Sequence, residues 1–330
     1  MNDICLVGGS GFIGTTIATR LAQRDIPFTI VDQHESRAFP QACTTADLRD
    51  ADRLAQVVKG QCIFHLAAVH RDDVRPISLY DDVNVQGTRN LCAAAEANGI
   101  DRIVFASSVA VYGFAPKDTD EGGEISPFND YGRTKAEGEK VLHAWQAADP
   151  TRRSLTIIRP TVVFGPGNRG NVYNLFNQIA RRRFVMIGNG HNHKSIAYVE
   201  NVADFFLHFL QSAPGVHTYN YVDGPELDMN QLVSLVRGTL FGKADVGPRL
   251  PQSLGFVMGG LADIVARVTG KSLPLSRQRV RKFISTTSFT TRHADEHGFA
   301  PQVDLSQAIQ TTLRAEFIEP DPNRPVFDTE

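Results

Sequence analysis

The sequence lacks a cysteine framework, a dominant charge and a long apolar run. Its four cysteines are widely spaced and include no Cys-x-x-Cys pair, which argues against zinc and dithiol motifs and predicts buried thiols in a reducing compartment. Lys and Arg number 34 against 36 Asp and Glu, so the overall charge does not indicate a nucleic-acid partner. No uncharged apolar run reaches the length of about 18 residues that predicts a membrane-spanning helix. With no basic, apolar leader before the strand-like run at Ile4, we expect a cytoplasmic protein without a metal site.

The first half of the chain alternates short β-branched runs with longer helix-like segments. This alternation predicts an α/β fold with a doubly wound parallel sheet and helices on both faces. The predicted strands lie at residues 4–7, 28–31, 63–66, 103–106 and 155–158, and the predicted helices at 12–24, 50–58, 79–98 and 131–148.

Beyond Gly165 the pattern changes to a Gly- and Asn-rich loop and a helix at residues 172–183. We expect a smaller, mostly helical substrate-binding domain over residues 166–330, interleaved with residues 1–165 through a strand near 195–199 that returns to the sheet. The Pro-rich residues after Glu319 are expected to fray.

Residues 254–268 form an apolar segment that is interrupted only by Asp263 and Arg267. A segment of this length is typical of a packed core helix, which is our prediction. Contact with a lipid-like substrate or with a membrane surface is the alternative.

A glycine-rich turn follows the first predicted strand and opens the first predicted helix. Gly8 permits the tight turn, Gly11 leaves room for a pyrophosphate, and Gly14 lets helix and strand pack closely. The second strand ends in Asp32, about 20 residues further on, where a carboxylate accepts the ribose hydroxyls and repels a 2′-phosphate. Residues 1–165 are therefore predicted to form a Rossmann domain that binds NAD rather than NADP, with Arg37 solvated.

A second group of residues predicts acid–base chemistry. Tyr131 and Lys135 are four residues apart, so they share one face of a helix. Ser108 follows an apolar strand, at the carboxyl edge where such sheets bind ligands. A nearby ammonium favours the phenolate, so we predict Tyr131 as the catalytic acid/base, Lys135 as its activator and Ser108 as the group that orients the substrate hydroxyl. His65, also at a strand end, is interpreted as structural.

Together these motifs resemble the extended short-chain dehydrogenase/reductase superfamily, in its NAD-dependent epimerase/dehydratase branch. The resemblance covers nearly the whole chain and includes the segments at residues 47–48, 65–68, 84–88 and 159–167. It implies that Asn84 packs near the strand that ends in the serines. The residues that it implies for cofactor binding are Gly8, Gly11, Phe12, Ile13, Gly14, Asp32, Asp47, Leu48, Leu66, Ala67, Ala68, Ser107, Tyr131, Lys135 and Pro160.

The resemblance also implies a nucleotide-sugar substrate and a homodimer formed through the helices at residues 79–98 and 131–148. The residues that it implies for substrate binding are Ser108, Tyr131, Asn171, Lys194 and Arg279. One departure concerns the position three residues after Arg159. Members that act on nucleotide sugars usually carry Asn there, whereas this chain has Val162.

We therefore predict an NAD-dependent epimerase that acts at C4 of a UDP-hexose or UDP-N-acetylhexosamine through a 4-keto intermediate. One alternative is an NAD(P)H-dependent reductase of a UDP-4-keto-6-deoxy sugar, which would use the same residues once per turnover. Another is an oxidoreductase that resembles 3β-hydroxysteroid dehydrogenases. A regulatory protein that binds dinucleotide without catalysis is disfavoured because Ser108, Tyr131 and Lys135 are all present.

Overall fold

The chain is organised by a seven-stranded parallel sheet. The computed structural model describes residues 3–71, 74–269, 276–291 and 298–327. Its strands are β1 Ile4–Val7, β2 Phe28–Asp32, β3 Cys43–Thr45, β4 Cys62–His65, β5 Arg102–Ala106, β6 Ser154–Pro160, β7 Val162–Phe164, β8 Met186–Ile187, β9 Ile196–Tyr198, β10 Gly215–Tyr221 and β11 Arg249–Leu250. The large sheet has the order β10-β6-β5-β4-β1-β2-β3, in which all neighbouring pairs are parallel.

The helices follow the predicted alternation with the strands. They are α1 Phe12–Gln23, α2 Ala51–Val57, α3 Gly87–Ala97, α4 Asp130–Ala147, α5 Asn171–Ala180, α6 Val199–His208, α7 Met229–Phe241, α8 Gln252–Thr269, α9 Arg277–Ile284 and α10 Leu305–Leu313. A π-helical segment, Tyr80–Gln86, leads into α3, and a 3-10 turn, Val109–Tyr112, follows β5. The predicted doubly wound α/β fold is confirmed.

Apolar side chains cover both faces of the sheet. Every residue of β1 and β4 is buried, as the near-continuous apolar sequence of these strands requires in a sheet with two covered faces. On one face, Leu21 of α1 and Phe206 of α6 belong to the same core as the sheet residues beneath them. On the other face, Leu91 of α3 and Trp145 of α4 do the same.

The strand order reverses at β1, which lies between β2 and β4. At such a reversal the connections from the two strands diverge to opposite faces of the sheet, leaving a crevice outside the carboxyl ends of the strands. The glycine turn after β1 and the segment after His65 therefore form the two sides of one crevice.

The predicted return of residues 195–199 to the large sheet is wrong. These residues form β9, which pairs with β7 in a separate two-stranded sheet. The chain instead re-enters the first domain through α6 and β10, and β10 pairs with β6 along seven residues. The three-residue β9 ends where α6 begins at Val199, whereas β10 is long enough to cover the whole open edge of β6.

The second structural unit has its own apolar core, built from α5, α7, α10 and the short strands β8 and β9. The expected fraying after Glu319 is wrong for the described residues up to Phe327. The amide of Phe327 donates to Gly167 O (2.9 Å), the amide of Arg169 donates to Phe327 O (2.9 Å), and the Phe327 ring lies 5.6 Å from that of Phe12. This non-local aromatic contact anchors a segment whose composition alone predicts disorder.

The apolar segment at residues 254–268 lies in α8, but six of its described large side chains are exposed, so the prediction of a packed core helix is wrong: Leu254, Val257, Met258, Leu261, Ile264 and Val265. None of the helices in the described ranges combines the length and apolarity needed to cross a membrane.

Candidate active site

A cavity of about 580 Å³ lies over the glycine turn, in the crevice at the strand reversal. Gly8 has φ of +86°, and a Cβ there would lie 2.3 Å from the amide nitrogen of Ala67. A Cβ on Gly11 would meet only Gly8 O, at 3.5 Å, so this side of the turn is open to the cavity. The two glycines thus allow the backbone to face a ligand directly at the N-terminus of α1, as a pyrophosphate requires.

Asp32 lines the cavity at the end where a ribose of the cofactor is expected to bind. Its carboxylate is fixed by two backbone amides, those of Ser10 and His34, each at 3.0 Å. Arg37 is exposed and lines the same cavity. A carboxylate in this place fits a cofactor with two free ribose hydroxyls, which is NAD.

The structure places eleven of the fifteen predicted cofactor residues at the glycine turn or in the cavity lining, whereas Ser107, Tyr131, Lys135 and Pro160 do not line this cavity. Ile13 and Gly14 lie in the first turn of α1, where a Cβ on Gly14 would be 2.6 Å from Gly8 O. The predicted residues that line the cavity are Gly8, Gly11, Phe12, Asp32, Asp47, Leu48, Leu66, Ala67 and Ala68.

Sequence reasoning missed part of the lining of this cavity. Val69 and His70 line it beyond the Ala67–Ala68 pair, and Pro325, Val326 and Phe327 line it from the C-terminal segment. The apolar pair Val326–Phe327 within a Pro-rich tail was the available sequence signal.

The catalytic residues predicted from the sequence come together at the start of α4. Asn129 caps this helix by accepting the Gly132 amide at 2.9 Å, which places Tyr131 in its first turn. The Ser108 hydroxyl is hydrogen-bonded to the Tyr131 phenol, and Ser108 Oγ also accepts the Ala110 amide at 3.1 Å. Burial raises the pKa of Tyr131 to about 12, and the hydrogen bond from Ser108 acts in the opposite direction. A cationic neighbour is therefore needed to bring this pKa toward neutrality.

Lys135 is that neighbour. Its Nζ donates to Ala106 O at the end of β5 (2.6 Å) and lies 6.0 Å from the centroid of the Tyr131 ring. Burial lowers the pKa of Lys135 to about 7, and the charge of Glu139 opposes this shift. An ammonium at this position favours the phenolate form of Tyr131.

The buried Lys135 predicts a specific dependence of stability on pH. Between pH 7 and the ordinary pKa of 10.5, the unfolded chain carries a proton on Lys135 that the folded chain has released. The free energy of unfolding therefore rises with pH across this window. We expect the melting temperature of the cofactor-free wild type, relative to that of Lys135→Met, to rise from pH 7 to pH 10.

Thermal unfolding of both proteins across this range measures the effect. Lys140→Met is the matched control, because Lys140 lies on the exposed side of the same helix and pairs with Glu137. Its difference from the wild type should stay constant. A constant or falling difference for Lys135→Met would contradict the assigned shift.

A buried ion pair lies one turn beyond Lys135. The carboxylate of Glu139 accepts from Arg159 Nε (2.9 Å) and Nη2 (2.6 Å) and from the Ser107 hydroxyl. Arg159 Nη1 donates to the Tyr112 hydroxyl at 2.7 Å. The network links α4, β6 and the residues after β5, and it occupies the hydroxyl of Ser107, a residue that the resemblance assigns to the cofactor. Sequence reasoning missed Glu139, although its four-residue spacing from Lys135 was a signal.

His65 has a structural environment. It is fully buried, its Nε2 lies 2.9 Å from Thr88 Oγ1, and its ring packs against Phe105. Because Thr88 Oγ1 already donates to Asn84 O, the histidine must donate through Nε2. Burial lowers the pKa of His65 to about 3, so the ring is neutral at physiological pH. This supports the structural interpretation.

Asn84 also has a defined role. Its side chain bonds both the amide and the carbonyl of Val69 (2.7 and 2.9 Å) and donates to Thr134 Oγ1 (2.9 Å). It therefore ties the cavity wall after β4 to α4, next to Lys135.

The predicted substrate residues outside the catalytic group lie on separate elements. Asn171 is the exposed first residue of α5. Lys194 donates from Nζ to Ser285 O (2.5 Å), and burial lowers its pKa to about 8. Pro160 is buried at the end of β6, and Val162, two residues later, is 44% exposed. Arg279 belongs to α9, but its side chain lies outside the described residues.

Comparisons with known proteins agree with this geometry. The model of the NAD dependent epimerase/dehydratase family matches residues 4–221. A protein of Escherichia coli O157:H7, N-acetyl-alpha-D-glucosaminyl-diphospho-ditrans,octacis-undecaprenol 4-epimerase, is 47% identical over 321 residues, which is 96% of each chain.

Solved structures show the same fold. The UDP-N-acetylglucosamine 4-epimerase of Methanobrevibacter ruminantium, in complex with UDP-N-acetylmuramic acid, matches with a TM-score of 0.75 and 22% identity over 97% of this chain and 99% of that one. The UDP-glucose 4-epimerase of Thermus thermophilus, in complex with NAD, matches with a TM-score of 0.73 and 20% identity over 97% and 100%.

Proposed function

Since the chain belongs to the NAD-dependent epimerase/dehydratase family, we propose that it inverts C4 of an N-acetylglucosamine that is linked through a diphosphate to undecaprenol. The observation that carries this proposal is the 47% identity to the Escherichia coli 4-epimerase over 96% of both chains. The half-buried Ser108 and Tyr131, with the buried Lys135, supply the chemistry that this reaction needs.

The protein residues act as follows. Tyr131 accepts the proton of the C4 hydroxyl and later returns a proton to the 4-keto oxygen. Ser108 donates to that oxygen and orients it, and Lys135 favours the phenolate of Tyr131. Gly8, Gly11 and Asp32 would hold NAD, which would supply reversible hydride transfer at C4 of the sugar. The diphosphate must stay bound while the keto sugar rotates, so that its other face meets the cofactor.

The carrier is the point on which this proposal differs from the predicted UDP-linked sugar. Both carriers join the sugar through a diphosphate, so the reaction at C4 is the same. At the position where members acting on nucleotide sugars usually carry Asn, the partly exposed Val162 offers an apolar side chain with no hydrogen-bonding group. The chain thus departs at this position from the members that act on nucleotide sugars.

The test supplies N-acetylglucosaminyl-diphospho-undecaprenol in detergent, and UDP-N-acetylglucosamine in parallel, to purified protein without added cofactor. We expect the C4 epimer of the lipid-linked sugar, and a rate at least about tenfold lower with the UDP-linked one. Equal or faster conversion of the UDP-linked sugar would favour the nucleotide carrier. Conversion of neither, with turnover of a 4-keto sugar only when reduced cofactor is supplied, would replace the epimerase with the reductase alternative.

We further propose a cytoplasmic location and a homodimer. All four cysteines are free thiols, and Cys5, Cys62 and Cys92 are buried, which suits a reducing compartment. The homodimer would use the outer faces of α3 and α4, as the resemblance implies. Sedimentation velocity measures this state, and a monomer at micromolar concentration would contradict it.

A further inference from the structure

Helix α8 carries its large apolar side chains on the outside. Val257, Leu261 and Ile264 are 58%, 59% and 57% exposed, and Leu254, Met258 and Val265 are between 42% and 48% exposed. These six side chains, which we call the α8 stripe, recur at spacings of three and four residues and therefore share one face of the helix. Helices of globular domains usually turn such a face toward the core.

The inward side of α8 consists of small residues. A Cβ on Gly255 would lie 2.6 Å from the Ile187 side chain, and one on Gly259 would lie 2.9 Å from the amide of Arg277. The helix therefore packs closely on β8 and on the start of α9 through glycines. This packing fixes the rotation of α8 and directs the α8 stripe away from the protein.

The surroundings of the α8 stripe are strongly basic. Residues 249–285 contain seven Lys or Arg and one acidic residue, Asp263, a net charge of +6 within a chain whose net charge is −2. Arg277 and Arg281 of the adjacent α9 are exposed. Asp263 is held locally, because its carboxylate accepts the Arg277 amide at 3.1 Å. Exposed cations thus lie beside the apolar stripe in a protein that elsewhere has excess negative charge.

We propose that the α8 stripe and α9 form a peripheral binding surface for an anionic lipid bilayer. An apolar helix face flanked by Lys and Arg is the pattern by which a helix lies in a membrane interface, with its apolar side chains among the acyl chains and its cations at the phosphate level. Charge complementarity favours a bilayer over a second copy of this chain, since two basic surfaces repel one another. This proposal rests on the proposed function in one respect only: membrane binding would bring the active site to a lipid-linked substrate.

The test measures co-sedimentation of the full chain with vesicles made of phosphatidylcholine alone or of equal parts phosphatidylcholine and phosphatidylglycerol. We expect binding to the anionic vesicles that weakens as salt is raised. Val257→Glu/Leu261→Glu, which we call the α8 variant, should reduce the partitioning of the protein into vesicles at least about tenfold, because two apolar side chains no longer enter the bilayer. Val216→Glu, at an exposed residue of β10, is the matched control and should bind like the wild type.

A second pair of variants separates the electrostatic contribution. Arg277→Gln/Arg281→Gln should weaken binding to anionic vesicles about tenfold, whereas Arg53→Gln/Arg89→Gln, at exposed residues of the first domain, should have little effect. Melting temperature and cofactor content establish that each variant is folded. Failure of the wild type to bind anionic vesicles, or full binding by the α8 variant, would overturn the proposal. The proposal would also be overturned if, without vesicles, the wild type is a dimer and the α8 variant is a monomer.

The membrane proposal and the proposed function fail independently. With lipid-linked substrate dispersed in detergent, the α8 variant should keep wild-type turnover, and with the same substrate in anionic vesicles it should lose at least about tenfold. Vesicle binding without epimerisation would leave the membrane proposal in place and remove the proposed function. Epimerisation of the substrate in detergent and in vesicles, without vesicle binding by the protein, would leave the proposed function in place and remove the membrane proposal.

Discussion

Replacement of Tyr131 by Phe is expected to lower turnover by at least about 100-fold while the protein keeps its cofactor. The substitution removes only the phenolic oxygen, so the ring still fills its half-buried place at the start of α4. Without that oxygen the site loses the group beside Ser108 that takes the proton of the substrate hydroxyl. The glycine turn and Asp32, which would hold most of the cofactor, are untouched, so the protein should retain NAD.

The measurement is the steady-state rate of epimer formation, with cofactor content taken from the absorbance of the purified protein. Tyr173→Phe is the matched control, because Tyr173 lies on α5 and stacks on Phe317 in the second structural unit. We expect its rate to remain near that of the wild type. Near-normal turnover of Tyr131→Phe would rule out Tyr131 as the acid/base.

Glu139→Gln is expected to reduce the free energy of unfolding by about 3–5 kcal/mol. The side chains of Glu139 and Arg159 are only 6% and 7% exposed. The amide keeps the shape of the carboxylate but leaves the Arg159 guanidinium as an uncompensated charge in the interior. Removal of one partner of a buried pair is more costly than removal of both, so Glu139→Gln/Arg159→Met should recover part of the loss.

Denaturant unfolding of the cofactor-free proteins provides these free energies. Glu137→Gln is the control on the same helix, since Glu137 pairs with Lys140 at the surface, and it should change stability by less than about 1 kcal/mol. A loss below about 1 kcal/mol for Glu139→Gln, or a double variant less stable than the single one, would contradict the predicted cost of an unpaired buried charge.

The same network bears on catalysis. The charge of Glu139 raises the pKa of Lys135, against the larger effect of burial. Glu139→Gln should therefore lower the pKa of Lys135 further and leave a smaller fraction of ammonium beside Tyr131 at neutral pH. Glu139 thus acts as a positioning residue through Lys135.

Helix α8 shows how the sequence misleads when a helix face is assigned from apolarity alone. The apolar residues have helical spacing whether their partner is a core or a membrane. What decided the direction was the glycines at residues 255 and 259, which approach β8 and α9 more closely than larger residues could.

The sequence by itself determined five of the six large-sheet strands before Gly165 and the helices between them, but not β3. It also determined the glycine turn with Asp32 and the grouping of Ser108, Tyr131 and Lys135. These follow from local rules, because periodicity, helical spacing and the carboxyl edge of a parallel sheet depend on neighbouring residues. Only the tertiary structure decided that β10 completes the sheet, that Phe327 closes one side of the cofactor cavity, that Glu139 pairs with Arg159, and that the α8 stripe faces outward. Each of these depends on which distant residues a given face meets, and that choice is set by packing across the whole chain.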